Sequence, residues 1–257
     1  MLRLKKAPPP WLAGEPSLFA GDAQAPVVVI PARYGSTRLP GKALADLHGQ
    51  PMVVRVLQRV LQARRIGGVV VATDDERIAE AVHQVGGLAI MTSPEHASGT
   101  DRIAEALTRL PWTGDIVVNV QGDEPLIEPD TIDALIDAMD DPTVQVATVA
   151  APLTGDPMDP SVVKVALSSS GRALYFSRAP IPHGGPYLHH IGIYAYRTAA
   201  LARFVASPHA PTERSERLEQ LRFLELGCPI AVITVDAASP SVDTPADLER
   251  VRRILKS

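Results

Sequence analysis

Three cations crowd one short stretch of this sequence. Arg33, Arg38 and Lys42 are interleaved with Gly35, Ser36 and Gly41 directly after an apolar run, Val27 to Ile30. Glycines let backbone N–H groups turn toward an anion, and guanidinium and ammonium groups add charge-assisted hydrogen bonds. The chemistry this points to is the cradling of a polyanion such as a nucleoside triphosphate. Two standard phosphate loops do not fit: Gly35 to Lys42 has one residue too many between its glycines for a Walker A loop, and Ala43 stands where that loop carries a metal-binding Ser or Thr. No G-x-G-x-x-G follows the run either. Further along, Asn119-Val120-Gln121-Gly122-Asp123-Glu124 closes another apolar run, so Asp123 falls where a carboxylate can offer hard oxygen ligands to Mg²⁺. Asp243 precedes Thr244-Pro245; by itself it reads as charge compensation at a helix N-terminus.

These residues need a scaffold, and the hydrophobic pattern describes one. β-branched runs at Val27–Ile30 and Val69–Val71, and Ile116–Val120 with Asn119 within it, suit strands buried on both faces of a parallel sheet. Helical spacing over Pro51–Arg64, Asp75–Val85, Asp101–Leu110 and Pro129–Met139 alternates with them, and Leu88–Met91 adds a short strand. The expected class is therefore α/β, with a doubly wound, mostly parallel sheet. Ligands in such sheets bind at the carboxyl ends of the strands, where the cationic loop and Asp123 lie. From about Val144 the rhythm changes to strand-like runs at Val144–Ala150, Val162–Ser168, Ala173–Phe176 and Ile191–Tyr196, read as a mixed-sheet insertion. A helix over Thr212–Leu226, a strand at Ile230–Val235 and a last helix capped by Thr244, with Pro245 first and Asp247 in the capping-box place, complete the chain.

The bulk properties narrow the function. The 257 residues carry a net charge of −4 and only one cysteine, Cys228. An acidic balance does not favour a nucleic-acid binder. One cysteine excludes an internal disulfide and a multi-cysteine zinc site, and fits a reducing, cytoplasmic setting. No apolar run reaches the roughly 20 residues that span a bilayer. Residues 1–26, with Lys5, Lys6 and five prolines, read as a disordered arm rather than an export signal, and residues 27–257 as a single domain.

The ordered motifs VVIPARYGSTRLPGK (28–42), VVVATDDERIAEAV, SGTDRIAEAL, VVNVQGDEPLI, ALYFSRAPIP, HHIGIYAYR, LEQLRFLE and VDTPADLERV together resemble the CMP-Kdo synthetases, the 3-deoxy-manno-octulosonate (Kdo) cytidylyltransferases, over residues 27–255. The resemblance implies a Mg²⁺-dependent nucleotidyltransferase that joins Kdo to CMP from CTP for lipopolysaccharide synthesis, acting as a homodimer. It implies Arg33, Lys42, Asp123 and Asp243 as catalytic residues, with both aspartates on the metal. It further implies Ala32, Arg33, Ser36, Lys42, Thr73, Ser98, Gly99, Thr100 and Gln121 against the nucleotide. Arg178, His190, Tyr194, Glu216, Glu219 and Gln220 would then face the sugar, within a sugar-binding and dimerisation section at about 150–226.

Alternatives read from the residues stay open. Capping accounts for Asp74 and Asp75 as well as base contact does, and Glu219 and Gln220 also suit a solvated helix face. The stretch Pro182–His190 is shorter than in similar chains, and Arg214 stands where they often carry histidine. These departures leave room for another acidic keto-sugar (an 8-amino Kdo analogue or a nonulosonate) and, in another class, for a non-catalytic nucleotide-sugar sensor.

Overall fold

Val27, Val28, Val29 and Ile30 are all fully buried, and consecutive side chains serve opposite layers of the protein. In the computed structural model, which describes residues 23–36 and 38–256, this run is β1 (Val27–Ala32). Because side chains alternate across a strand, Val28 and Ile30 join a core with α1 (Met52–Val60), α2 (Glu76–Gln84) and α4 (Pro129–Ala138). Val27 and Val29 join a second core with α3 (Gly99–Thr108) and α5 (Thr198–Val205) on the other face. Helices on both faces are what a doubly wound sheet requires.

β1 pairs in parallel with β2 (Gly68–Thr73) and β4 (Ile116–Asn119), and β2 in parallel with β3 (Leu88–Met91). The remaining strands are β5 (Val146–Pro152), β6 (Lys164–Leu167), β7 (Ala173–Ser177), β8 (Leu188–Arg197) and β9 (Ile230–Thr234). The main path runs β3-β2-β1-β4-β8-β5-β9. The mixed character expected after Val144 enters the middle of this sheet: β8 runs antiparallel between β4 and β5, while β5 and β9 are parallel. Only the β6–β7 hairpin lies off the main path, joined to it through β6 and β8. Lys164 on β6 is fully buried, and its ammonium donates to the carbonyls of Asp159, Val162 and Arg178. Among the described residues no helix is long and apolar enough to cross a membrane.

Two expected helices differ and one unexpected helix forms, each for a tertiary reason. α1 stops at Val60 rather than near Arg64, because the Asp133 carboxylate accepts the amides of Arg64 and Arg65 at 2.9 Å and draws the chain off the helix. The helix expected over Thr212–Leu226 is two short ones, α6 (Pro211–Glu216) and α7 (Leu221–Glu225). Arg217 ends α6 in the left-handed region at φ 56°, and its neighbour Glu216 is held by Ser177 Oγ and the Arg178 amide, at 2.7 and 3.0 Å. α5 was not expected at all; Asp115 starts it by accepting Thr198 Oγ1 at 2.9 Å and Arg197 Nη1 at 2.7 Å. The disordered arm expected over 1–26 lies outside the described residues up to position 22. Ala23, Ala25 and Pro26 accept hydrogen bonds from the Thr113 amide, Trp112 Nε1 and the Gly67 amide.

The C-terminal helix α8 (Pro245–Lys256) has a small core of its own, in which Val242, Leu248 and Val251 meet Leu47 and Met52. Full burial of a Leu or Val is worth about 1.5–3 kcal/mol, so this cluster fixes where the residues before α8 lie. As read from the sequence, Thr244 caps the helix with Asp247 in the capping-box place: Thr244 Oγ1 accepts the Asp247 amide at 3.3 Å, and the Asp247 carboxylate accepts the Thr244 amide at 2.9 Å. The α6–α7 pair is locked by Arg222, whose guanidinium pairs with Glu213 and stacks over the Phe204 ring at 3.9 Å. Both charged side chains are at least 95% buried. Glu213→Ala would leave a buried, uncompensated guanidinium, and urea denaturation should show a loss of about 3–5 kcal/mol.

Candidate active site

The Lys42 ammonium sits between Asp123 and Asp243, 2.5 Å from Asp123 Oδ2 and 3.2 Å from Asp243 Oδ1. Arg38 Nη2 adds a second contact to Asp243 Oδ1 at 2.9 Å. The aspartates are 120 positions apart in sequence, yet a backbone bond joins their segments: the Val242 amide donates to the Asp123 carbonyl at 2.9 Å. Asp123 follows β4, the parallel neighbour of β1, while the α8 core holds Asp243 in place. Burial opposes the charge on Lys42, but Asp123 and then Asp243 outweigh it and raise its pKa above the usual lysine value. Glu124, next in the chain, is buried, and its Oε2 has no hydrogen-bond partner among the described residues. Burial first, then the charges of Asp123 and Asp243, push its pKa up to about 8.

Arg38, Lys42, Asp123 and Asp243 line a cleft of about 320 Å³. Ala32, Arg33, Ser36, Arg38 and Lys42 line it from the loop after β1, and Gln121, Gly122 and Asp123 from the end of β4. The entry to α3 supplies the opposite wall through His96, Ser98, Gly99 and Arg102. Ser98 is the helix cap, with its Oγ accepting the Asp101 amide at 3.1 Å. Gly122 suits a close approach of chains, since a Cβ there would lie 3.0 Å from the Pro31 carbonyl oxygen. A cationic rim beside hard carboxylate oxygens can bind a polyphosphate and a divalent cation together, because Mg²⁺ sites commonly use one or two carboxylates plus substrate phosphates. No cluster of three or more potential metal-ligating side chains occurs among the described residues, so the donor set suits such a shared site rather than an all-protein cage.

Most of the nucleotide-side residues expected from the sequence converge here. Thr73 and Thr100 do not line the cleft: Thr73 is fully buried, with its Oγ1 near the Asp75 amide, and Thr100 donates to Glu219 Oε2 at 2.9 Å. Of the sugar-side residues only Glu219 reaches the lining. Burial raises its pKa against the opposing Thr100 bond, and Gln220 is buried, so neither belongs to a solvated helix face. The Arg178 guanidinium donates to the carbonyls of Glu216 and Pro160 at 3.0 and 2.8 Å, and the Glu216 carboxylate is occupied by Ser177 and the Arg178 amide. His190 and Tyr194 are buried in the face of β8, with ring centroids 5.5 Å apart. His96 and Arg102 were not singled out in the sequence. Arg102, three residues after Gly99, shares its helix face, which is the one signal that placed it here.

Thr148 Oγ1 donates to the Ile193 carbonyl at 2.8 Å and lies 3.0 Å from His190 Nε2. Burial, and secondarily the neighbouring His189, push the His190 pKa down to about 3. The imidazole stays neutral when folded but takes up a proton below about pH 6.5 once unfolded, so stability falls as pH drops from about 6.5 toward 3. Thermal unfolding between pH 4 and 8 should show this slope in the native protein and a flatter one in His190→Gln.

Comparison with known proteins identifies the family. The cytidylyltransferase family model matches residues 27–230. The 3-deoxy-manno-octulosonate cytidylyltransferase of Bradyrhizobium sp. (strain ORS 278) is 54% identical over 238 residues, covering 89% of this chain and 96% of that one. The protein of the same name from Paramagnetospirillum magneticum is 48% identical over 242 residues, covering 90% and 98%. A solved structure of CMP:2-keto-3-deoxy-manno-octonic acid synthetase complexed with CTP superposes with TM-score 0.87 at 45% identity, covering 91% of this chain and 99% of that one. A putative glucose-1-phosphate thymidylyltransferase from Bacillus anthracis shares the fold alone, at 14% identity and TM-score 0.67, covering 91% and 96%. The aspartates meeting at Lys42 thus stand in a chain that belongs to the cytidylyltransferase family, among the 3-deoxy-manno-octulosonate cytidylyltransferases.

Proposed function

We propose that this protein activates Kdo, transferring CMP from CTP to the sugar's anomeric hydroxyl with release of pyrophosphate. The hydroxyl oxygen attacks the α-phosphorus and gives its proton to solvent, the bond from that phosphorus to the bridging oxygen breaks, and pyrophosphate leaves with the electron pair. The carrying observation is the meeting of Asp123 and Asp243 at Lys42, in a cleft rimmed by Arg33 and Arg38. Asp123 and Asp243 would hold the divalent ion, Mg²⁺ in this reading. When bound, that ion neutralises phosphate charge and orients the triphosphate. Arg33, Ser36 and Lys42 bind phosphate oxygens and hold the α-phosphorus in place. Ala32, Ser98, Gly99 and Gln121 line the nucleotide's side of the cleft, with Thr73 and Thr100 supporting that wall from behind.

Catalysis then consists chiefly of positioning and charge stabilisation, with little covalent work for the protein. Glu219 is the sugar-side residue already at the cleft. Arg178, His190, Tyr194, Glu216 and Gln220 shape the section behind it, and their present partners mean that direct sugar contact requires Arg178 to exchange carbonyls for the sugar carboxylate. The lone cysteine and the need for CTP fit the cytoplasm. A homodimer would use the section at about 150–226, where β7 exposes Leu174.

Pyrophosphate release measured with CTP, Mg²⁺ and a panel of acidic sugars tests this. Kdo should give the highest kcat/KM; a preference for an 8-amino analogue or a nonulosonate would replace it, and no release with any sugar would leave the sensor reading. Asp123→Asn should retain the native circular dichroism spectrum and lose at least about 10²-fold in kcat. Near-native turnover in that variant would remove Asp123 from the metal.

A further inference from the structure

The loop that carries Arg33, Ser36, Arg38 and Lys42 has little burial of its own, since Arg33, Gly35, Arg38 and Pro40 are exposed. Lys42 and Arg38 tie its far end to Asp123 and Asp243; its start is held by Asp74, which is paired with Arg102 of the cleft wall. Asp74, just past β2, accepts the Tyr34 amide on Oδ1 at 3.2 Å. Its other oxygen, Oδ2, accepts from Arg102 Nη2 at 2.9 Å. The Arg102 side chain is only 3% exposed, and its Nη1 donates to Thr92 Oγ1 at 2.5 Å. Thr92 in turn bonds back to the Thr73 carbonyl through its amide at 2.7 Å and its hydroxyl at 3.0 Å. One carboxylate thus ties the start of the loop to α3 and to the ends of β2 and β3.

Tyr34 carries the constraint across the loop. Its ring lies under the Arg77 guanidinium, 3.6 Å from the ring centroid. On the far side of the loop Gly41 comes so close that a Cβ there would lie 3.3 Å from Tyr34 Cε2, and Gly41 has the left-handed φ of 67°. Lys42 follows immediately. The two ends of the loop are therefore closed on each other through one tyrosine, whose backbone is held by Asp74. A backbone amide bonded to a carboxylate that is itself paired with a buried guanidinium makes a stiff anchor, because charge-assisted bonds are the strong ones and the carboxylate has no competing solvent partner of similar strength.

We propose that the Asp74–Arg102 pair is a positioning device for the phosphate loop: it sets nucleotide affinity by holding Tyr34, and through Gly41 the Lys42 ammonium, without touching the nucleotide through Asp74. This rests on the reading that the loop binds the CTP phosphates. It also resolves the double reading of the two aspartates after β2. Asp75 is the cap of α2, accepting the Arg77 amide at 3.0 Å, while Asp74 faces the loop.

The test separates loop anchoring from nucleotide binding. Asp74→Ala alone strands the buried Arg102 charge, so the informative protein is the double variant Asp74→Ala/Arg102→Met, checked for folding by circular dichroism. Amide hydrogen exchange across residues 34–42 in the ligand-free protein should speed by about tenfold, as expected for loss of one charge-assisted hydrogen bond. The Kd for CTP, measured by calorimetry without sugar, should rise by about the same factor relative to Arg102→Met alone, which removes the same cleft-lining cation but keeps Asp74 as acceptor for the Tyr34 amide. Asp74→Asn, which keeps an acceptor for the Tyr34 amide, should recover most of the slow exchange. Unchanged exchange in the folded double variant would overturn the anchoring. Faster exchange with unchanged CTP affinity would overturn the link to the nucleotide and, with it, the assignment of this loop to the phosphates. Should the double variant not fold, Arg77→Ala, which frees the Tyr34 ring and also removes the Arg77–Asp75 pair at the start of α2, should move exchange and Kd in the same direction; no change in either would count against the device.

Discussion

Two carboxylates held side by side repel one another, and the site rests on how that repulsion is compensated. At an effective dielectric of about 20, like charges 4 Å apart cost roughly 4 kcal/mol. Lys42 offsets this by sitting within hydrogen-bond reach of both Asp123 and Asp243, and Arg38 adds a second cation at the exposed edge. Glu124 shows the consequence for an acid beside the pair that has no such partner: burial and the neighbouring charges favour its neutral form. An acidic protein can thus present a local cationic rim to a polyanion while keeping hard oxygens beside it. Net charge describes the whole surface; the cleft is set by a few groups.

Holding that arrangement takes contributions from both ends of the chain. β1 and β4 lie side by side and parallel, so the loop after one and the QGD turn after the other open at the same edge of the sheet. The third participant arrives last in sequence. Val242 fills a small core with Leu47, Met52, Leu248 and Val251, and its amide bonds to the Asp123 carbonyl. Apolar packing of α8 and the Val242 backbone hydrogen bond bring Asp243 to the site, where Lys42 and Arg38 hold its carboxylate.

The second wall follows the same economy. Ser98 caps α3 and lines the cleft, and Arg102, one turn on, serves the cleft face and the loop anchor together. The α6–α7 segment behind Glu219 is fixed by the buried Arg222–Glu213 pair, which explains how a helix broken at Arg217 still delivers Glu219 to Thr100.

Much was legible from sequence by itself. The β-branched runs and their alternation with helical spacing determine an α/β sheet covered on both faces, because a strand buried on two sides has no polar positions to spare. The glycine-and-arginine loop and the QGD turn sit at strand ends in the sequence itself, so their presence at the carboxyl edge follows from chain direction. The Thr244–Asp247 capping box was readable because its partners lie within three residues. What the tertiary structure decided are the long-range partners. The insertion of β8 between β4 and β5, the break at Arg217, the early end of α1 at Asp133 and the anchoring of Tyr34 by Asp74 each depend on a group far away in sequence. Local propensity carries no information about such a group. The convergence of Asp123 and Asp243 belongs to the same class, since only the packing of the last helix brings the second carboxylate to the first.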